Sequence, residues 1–297
     1  MAYIDITHLT KDYGKGQGIF DLTLDVEEGE IYGFVGVNGA GKTTAIRHMM
    51  GFIKPDEGGI TINGLDATKN SAEIKRFVAY VPGEINFPGN TTGEEFLKEQ
   101  IYLSNRGNFE RAKELVDLLQ LDMTAKVRAM SKGMKQKTAI VSAFASEADI
   151  LIMDEPSTGL DPLMRDVFLD LLKEEKAKGK TIFMSSNIFQ EVEEVADRVA
   201  VIREGEIVEV TDMTKIRYNK NKRYRMEFKS RTDFERFLNL DYKFDEVKAE
   251  DLQVFVGVND KDINQLIKDL KQFDLVYFKE IKFSFRDYVT QVFKDEI

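Results

Sequence analysis

The chain has 297 residues and a formal charge of −10, from 42 basic and 52 acidic side chains. Hydrophobic residues make up 42%, with 21 Phe and 10 Tyr, enough for a sizeable core, so global disorder is excluded. There is no cysteine and only His8 and His48, which excludes a disulfide scaffold, a thiolate zinc site, a cysteine nucleophile and a histidine metal cluster. The charge is uneven: residues 1–211 carry −11 and residues 212–297 carry +1. An acidic bulk argues against nucleic acid as a partner, which needs a concentrated basic footprint. The start, Met1-Ala2-Tyr3-Ile4-Asp5, lacks a leader pattern, and no apolar run approaches the ~20 residues that cross a bilayer. A cytoplasmic location is expected.

In chain order, Ile31-Tyr32-Gly33-Phe34-Val35 reads as a buried strand, followed by a glycine-rich turn and a helix from about Thr43 to Met50. Thr61-Ile62-Asn63-Gly64 suggests an antiparallel turn, and so an added β-subdomain near residues 1–80. From about Thr92 to Leu121 the spacing is helical, with Leu115, Leu118 and Leu119 on one stripe, within a helical insertion at about 84–145. Ile150-Leu151-Ile152-Met153 and Thr181-Ile182-Phe183-Met184 are apolar runs without alternation, as suits parallel strands covered on both faces. Composition shifts near Asp212: 15 of the 31 aromatic residues lie after it, the density of a separate small core. Strands are expected there at 224–229, 243–249, 253–258 and 275–283, with helices near 232–239 and 261–272. The order β-α-β-β-α-β would make a ferredoxin-like α+β domain over 212–297, beside a first domain over 1–211. Lys215 to Arg231 holds eight Lys or Arg and one acid, Glu227. It reads as a solvated linker and strand face, or as a contact for acidic lipid headgroups or a partner protein.

Gly36-Val37-Asn38-Gly39-Ala40-Gly41-Lys42-Thr43 matches G-x-x-x-x-G-K-[ST]. Glycines let the backbone turn its N–H groups onto phosphate oxygens, Lys42 adds charge for the β- and γ-phosphates, and the Thr43 hydroxyl can coordinate Mg²⁺. The helix that follows adds its positive N-terminus. Asp154-Glu155 ends the apolar run at Ile150–Met153. Asp154 can hold Mg²⁺ through water, and Glu155 can orient and deprotonate an attacking water.

The remaining motifs resemble those of ABC ATPases. Met130-Ser131-Lys132-Gly133-Met134-Lys135-Gln136 is similar to the family's L-S-G-G-Q signature, and Ser157-Thr158-Gly159-Leu160-Asp161 to its D-loop. Lys54-Pro55-Asp56-Glu57-Gly58-Gly59-Ile60 looks like its β-subdomain turn, and Tyr13 like the aromatic that stacks on adenine. The resemblance covers residues 2–210. It implies a P-loop α/β cassette with a mostly parallel sheet core, an antiparallel β-subdomain and a helical subdomain. It also implies an ATP-hydrolysing transporter subunit, peripheral on the inner face of the membrane through a separate permease subunit. Asn38, Gly39, Ala40, Gly41, Lys42, Thr43 and Thr44 would hold ATP. Ser131, Gly133 and Asp161 would close on the ATP of a second copy, or of a paralogous cassette, paired head to tail.

Two positions depart from the family's pattern. Its switch histidine is here Asn187, which can offer an amide N–H to phosphate but carries neither proton nor charge. Its Q-loop glutamine is here Gly83, and the neighbouring Glu84 is the candidate to take over the metal contact beside Thr43 and Asp154. The P-G-E spelling and S-K-G-M-K-Q resemble bacterial exporters with separate membrane subunits. An ATP-gated sensor with little turnover, or a soluble non-transport ABC ATPase, are the alternatives; the intact Glu155 argues against a dead enzyme.

Overall fold

The computed structural model describes residues 3–87, 91–104, 106–218 and 220–295. By its contacts the chain divides into two compact units, Met1–Met213 and Thr214–Ile297. The first unit opens with β1 (Ile4–Asp12), β2 (Gly18–Val26), β3 (Ile31–Val35), α1 (Lys42–Met49), β4 (Glu57–Ile62), β5 (Leu65–Asp66), α2 (Ser71–Ile74) and β6 (Val78–Val81). Three helices follow: α3 (Gly93–Leu103), α4 (Phe109–Leu118) and α5 (Lys132–Ala145). Then come β7 (Ile150–Asp154), α6 (Pro162–Ala177), β8 (Thr181–Ser186), α7 (Phe189–Val195), β9 (Arg198–Arg203) and β10 (Glu206–Asp212).

Two sheets result. The six-stranded one runs β10-β9-β3-β8-β7-β6 and is parallel except for the β9–β10 hairpin. Every residue of β3, β7 and β8 is buried, as strands covered on both faces require. The four-stranded sheet runs β2-β1-β4-β5 and is antiparallel. Its β4–β5 turn places Asn63 and Gly64 at φ 50° and 75°, with Ile62 paired to Leu65. Positive φ at both positions is the two-residue turn whose twist matches that of the strands, and Asn-Gly is the pair that adopts it. Ile46 and Met49 of α1 share one core with Ile4 and Ile6 of β1, Leu22 of β2, Ile152 of β7 and Phe183 of β8. The glycine-rich turn is therefore anchored through α1 to both sheets.

His48 lies buried on α1, its Nδ1 2.7 Å from the Thr44 carbonyl. A carbonyl only accepts, so Nδ1 carries the hydrogen. Burial pushes the imidazole pKa below its ordinary 6.5. As pH falls through that value the unfolded chain takes up the proton first, so stability is lost from there down to the depressed folded value. The melting temperature is expected to fall on acidification below pH ~6.5, and to fall less in His48→Gln. Parallel falls in the two proteins would contradict this.

The helical segment is capped where its sequence changes pattern. Thr92 Oγ1 accepts from Glu95 N at 3.3 Å while Glu95 Oε2 accepts from Thr92 N at 2.9 Å, closing a capping box at the start of α3. Leu115 and Leu119 are buried, but Leu118 is 46% exposed. Residues four apart stay in line on a helix, whereas the one three along falls to the flank, so the buried stripe runs Leu115–Leu119 and leaves Leu118 out.

In the second unit, α8 (Met213–Arg217) begins at the division, followed by β11 (Asn221–Phe228), α9 (Arg231–Leu238), β12 (Lys243–Lys248), β13 (Gln253–Asn259), α10 (Ile263–Leu270), β14 (Leu275–Ile281) and α11 (Phe285–Asp295). The division falls after Met213 rather than after Thr211, because Asp212 still pairs with Arg198 across the β9–β10 hairpin. The sheet order is β12-β13-β11-β14 with every pair antiparallel, the arrangement of a ferredoxin-like β-α-β-β-α-β unit. Phe228, Phe234, Phe237 and Phe273 form its core with Val256 and Leu266. Within the basic stretch, of which Asn219 lies outside the described residues, Arg223 pairs with Asp245 at 3.1 Å and Lys222 with Glu280 at 3.8 Å. These two of its eight basic residues thus meet acidic partners on the strand face.

Candidate nucleotide site

The site grows from the carboxyl ends of three neighbouring strands, β3, β8 and β7. Their parallel register sets Val35 beside Ser186 and Ser185 beside Asp154. The turn after β3, the segment Ser185–Asn187 and the Asp154-Glu155 pair must therefore emerge side by side. Crevices at the carboxyl ends of parallel strands are where such sheets bind ligands.

The turn 36–41 delivers Lys42 at the start of α1. Gly41 has φ 109°, and a Cβ there would sit 2.7 Å from Ile19 Cγ2, so both backbone conformation and space require glycine. Gly39 also has positive φ, 84°. Lys42 is only 4% exposed. Its Nζ donates to the Gly36 carbonyl at 2.6 Å and the Val37 carbonyl at 3.1 Å, and lies 3.2 Å from Glu155 Oε1. A buried ammonium needs such acceptors, and phosphate oxygens are stronger ones of the same kind. Thr43 Oγ1 donates to Asp154 Oδ2 at 2.7 Å, and Ser185 Oγ donates to Asp154 Oδ1 at 2.7 Å. Ser185 Oγ also accepts from Glu155 N at 3.0 Å, which holds Glu155 at φ 46°, an uncommon conformation for a residue with a Cβ. Asn187 Nδ2 donates to Asn38 Oδ1 at 3.2 Å. Burial, and after it the charge of Asp154, pushes the Tyr80 phenol up to about 12.

The structure thus brings Asn38, Lys42, Thr43, Asp154, Glu155 and Asn187 into one constellation, with Gly39, Ala40, Gly41 and Thr44 in the same turn and helix start. A family model described as ABC transporter matches residues 19–158. The chain is 38% identical over 232 residues to the bacitracin transport ATP-binding protein BcrA of Bacillus licheniformis, covering 76% of this chain and 74% of that protein. It is 34% identical over 210 residues to a Nod factor export ATP-binding protein of Burkholderia orbicola, 69% of each chain. The chain belongs to the ABC transporter ATP-binding family. It is an ATP-binding subunit of that family, whose members are ATPases. A solved ATP-binding subunit of an ABC transporter superposes with TM-score 0.67 at 31% identity, over 73% of this chain and 92% of that one.

The other residues expected to serve an ABC cassette lie elsewhere. Ser131 and Asp161 are exposed and each caps a helix: Ser131 Oγ accepts from Met134 N at 3.2 Å, and Asp161 Oδ1 from Met164 N at 3.0 Å. A capping hydroxyl that accepts still has its own hydrogen to donate. Gly133 lies against the D-loop, since a Cβ there would be 2.6 Å from the Gly159 carbonyl. No hydrogen bond among the described residues joins Ser131 to the Lys42 turn. Tyr13 is 54% exposed, its ring 5.9 Å beneath Lys11 Nζ. Glu84 is exposed, and Gly83 is the residue that abuts Asp154: a Cβ there would lie 3.2 Å from Asp154 Oδ2. Ser185 was missed from sequence. Its signal was a pair of hydroxyl residues, Ser185-Ser186, buried at the end of an apolar strand.

Proposed function

We propose that this chain powers a transporter, most simply an exporter, by binding and hydrolysing Mg²⁺-ATP at the constellation around Lys42 and docking on a separate membrane permease. The observation that carries this reading is the convergence of Lys42, Thr43, Asp154, Glu155 and Asn187 at three adjacent strand ends. The bacitracin and Nod factor names of its relatives support export. The Thr43 hydroxyl and Asp154 carboxylate are hard oxygen donors already in mutual contact, the type that Mg²⁺ takes together with waters. Bound there, the metal would neutralise phosphate charge. Lys42 exchanges Glu155 and the turn carbonyls for the β- and γ-phosphates, leaving Glu155 free to accept a proton from water. Asn187, held by Asn38, offers its amide to the γ-phosphate.

Ser131, Gly133 and Asp161 make a second set of groups that closes on the ATP of another copy, or of a paralogous cassette, paired head to tail. With its permease the pair would be peripheral on the inner face of the membrane. The unit up to Met213 carries the nucleotide motifs, and the unit from Thr214 forms an accessory domain. Co-purification with a multi-span membrane protein, and ATP turnover that requires Mg²⁺, test the reading. Turnover unaffected by a chelator would contradict it.

Asn187 tunes the rate. A neutral amide makes a weaker phosphate hydrogen bond than an imidazolium. Asn187→His is expected to raise kcat, by less than the ~10²–10³ that a lost transition-state donor costs elsewhere. ATP Kd should stay nearly constant, because Lys42 and the turn backbone dominate ground-state binding. A flat or lower kcat would remove Asn187 from the γ-phosphate.

A further inference from the structure

Glu191, the third residue of α7, is 1% exposed, and no hydrogen bond or ion pair among the described residues joins it to the nucleotide turn. Its carboxylate instead gathers three segments. Oε2 accepts from Ser157 Oγ at 2.8 Å and from Ser186 Oγ at 3.1 Å, and Oε1 lies 3.0 Å from Arg165 Nε. Ser157 opens the D-loop two residues after Glu155. Arg165 stands just beyond its end, in the first turn of α6, where its backbone N–H bonds the Asp161 carbonyl at 2.9 Å. Ser186 precedes Asn187, and its hydroxyl also accepts from Ile188 N at 2.9 Å. One buried carboxylate therefore grips both ends of the D-loop and the root of the Asn187 loop.

Such a group is costly unless it is needed. Burial pushes its pKa up, against the two serine hydroxyls and Arg165, and the nearby negative Glu155 adds to the rise. A hydrophobic residue of similar size would avoid that desolvation. The three partners come from separate stretches of chain, so what the carboxylate secures is their relative placement.

We infer that Glu191 is a positioning residue for ATP hydrolysis: it locks the D-loop and the Asn187 loop into one rigid unit. Glu155 and Asn187 then meet the γ-phosphate, and Asp161 meets a second copy, in fixed relation. The inference rests on the ATPase reading of the site. It predicts a dependence of kcat rather than of ATP binding, because no hydrogen bond or ion pair among the described residues joins Lys42, Thr43 or the turn 36–41 to Glu191.

The test compares full-length wild type, Ser157→Ala, Ser186→Ala and Glu191→Gln. An amide has one accepting face, so Gln cannot serve both serines and Arg165 at once. Each variant should lower kcat by roughly ten- to hundredfold, the scale of losing a hydrogen-bonded partner that orients a site group, with KM for ATP within about twofold. Glu194→Gln, on the same helix in an exposed pair with Lys173, should leave both constants unchanged. Hydrogen exchange provides a readout independent of turnover. In Glu191→Gln the amides of Thr158, Leu160 and Ile188 should lose protection together, since all three bond within the gripped loops. Unchanged kcat in the serine variants, or kcat and KM moving together with the melting temperature, would overturn the role. So would loss of protection in only one loop. A wild-type chain without turnover would count against the ATPase reading alone, and the exchange pattern would still decide the clamp.

Discussion

Lys42→Ala is expected to abolish ATP binding or weaken it severely. The ammonium is buried and donates to the Gly36 and Val37 carbonyls, so it is already aimed across the mouth of the turn. Hydrogen bonds to charged groups contribute ~1.5–3 kcal/mol each. Two phosphate contacts of that size correspond to a loss of roughly two to four orders of magnitude in Kd. The turn itself should persist, because its shape is set by Gly39 and Gly41 and by the anchorage of α1 in the core. Titration calorimetry of the full chain with ATP measures the effect, and circular dichroism checks the fold. Near-normal affinity would sink the phosphate assignment of the turn.

Glu155→Gln is expected to keep ATP binding, nearly stop hydrolysis and favour an ATP-bound dimer. Glutamine has the same size and the same cost at φ 46°, and its backbone N–H can still donate to Ser185 Oγ. Its amide cannot take the proton of an attacking water. General-base catalysis typically contributes ~10²–10⁴-fold, and a loss of that order in kcat is expected. Lys42 gains phosphate in place of the lost carboxylate charge. Sizing chromatography with and without ATP, beside a turnover assay, examines both halves. A variant that stays monomeric and fully active would remove Glu155 from the role of base.

Much of the site was legible because its motifs are local. The G-x-x-x-x-G-K-[ST] spacing, the Asp154-Glu155 pair after an apolar run, and Asn63-Gly64 as a turn each depend on a few consecutive residues. So does the strand and helix order after Asp212, where turn residues and apolar periodicity change together. Leu118 was misjudged because hydrophobic spacing defines a stripe only to within a residue, and packing decides which flank is covered.

What residue types and spacing supplied alone was a set of candidates: a turn suited to phosphate, a hydroxyl and a carboxylate suited to a hard metal, a carboxylate suited to act as base, and the order of elements that carries them. Tertiary structure decided which groups meet. Thr43 reaches Asp154 across 111 residues and Asn187 reaches Asn38 across 149, through the parallel register of β3, β8 and β7. Gly83 rather than Glu84 faces Asp154, and Glu191 gathers Ser157, Ser186 and Arg165. The physical reason is the same in each case. A side chain's identity and its neighbours in sequence set its local backbone and its chemistry, whereas a buried polar contact exists only once strand register and helix packing have brought distant segments together.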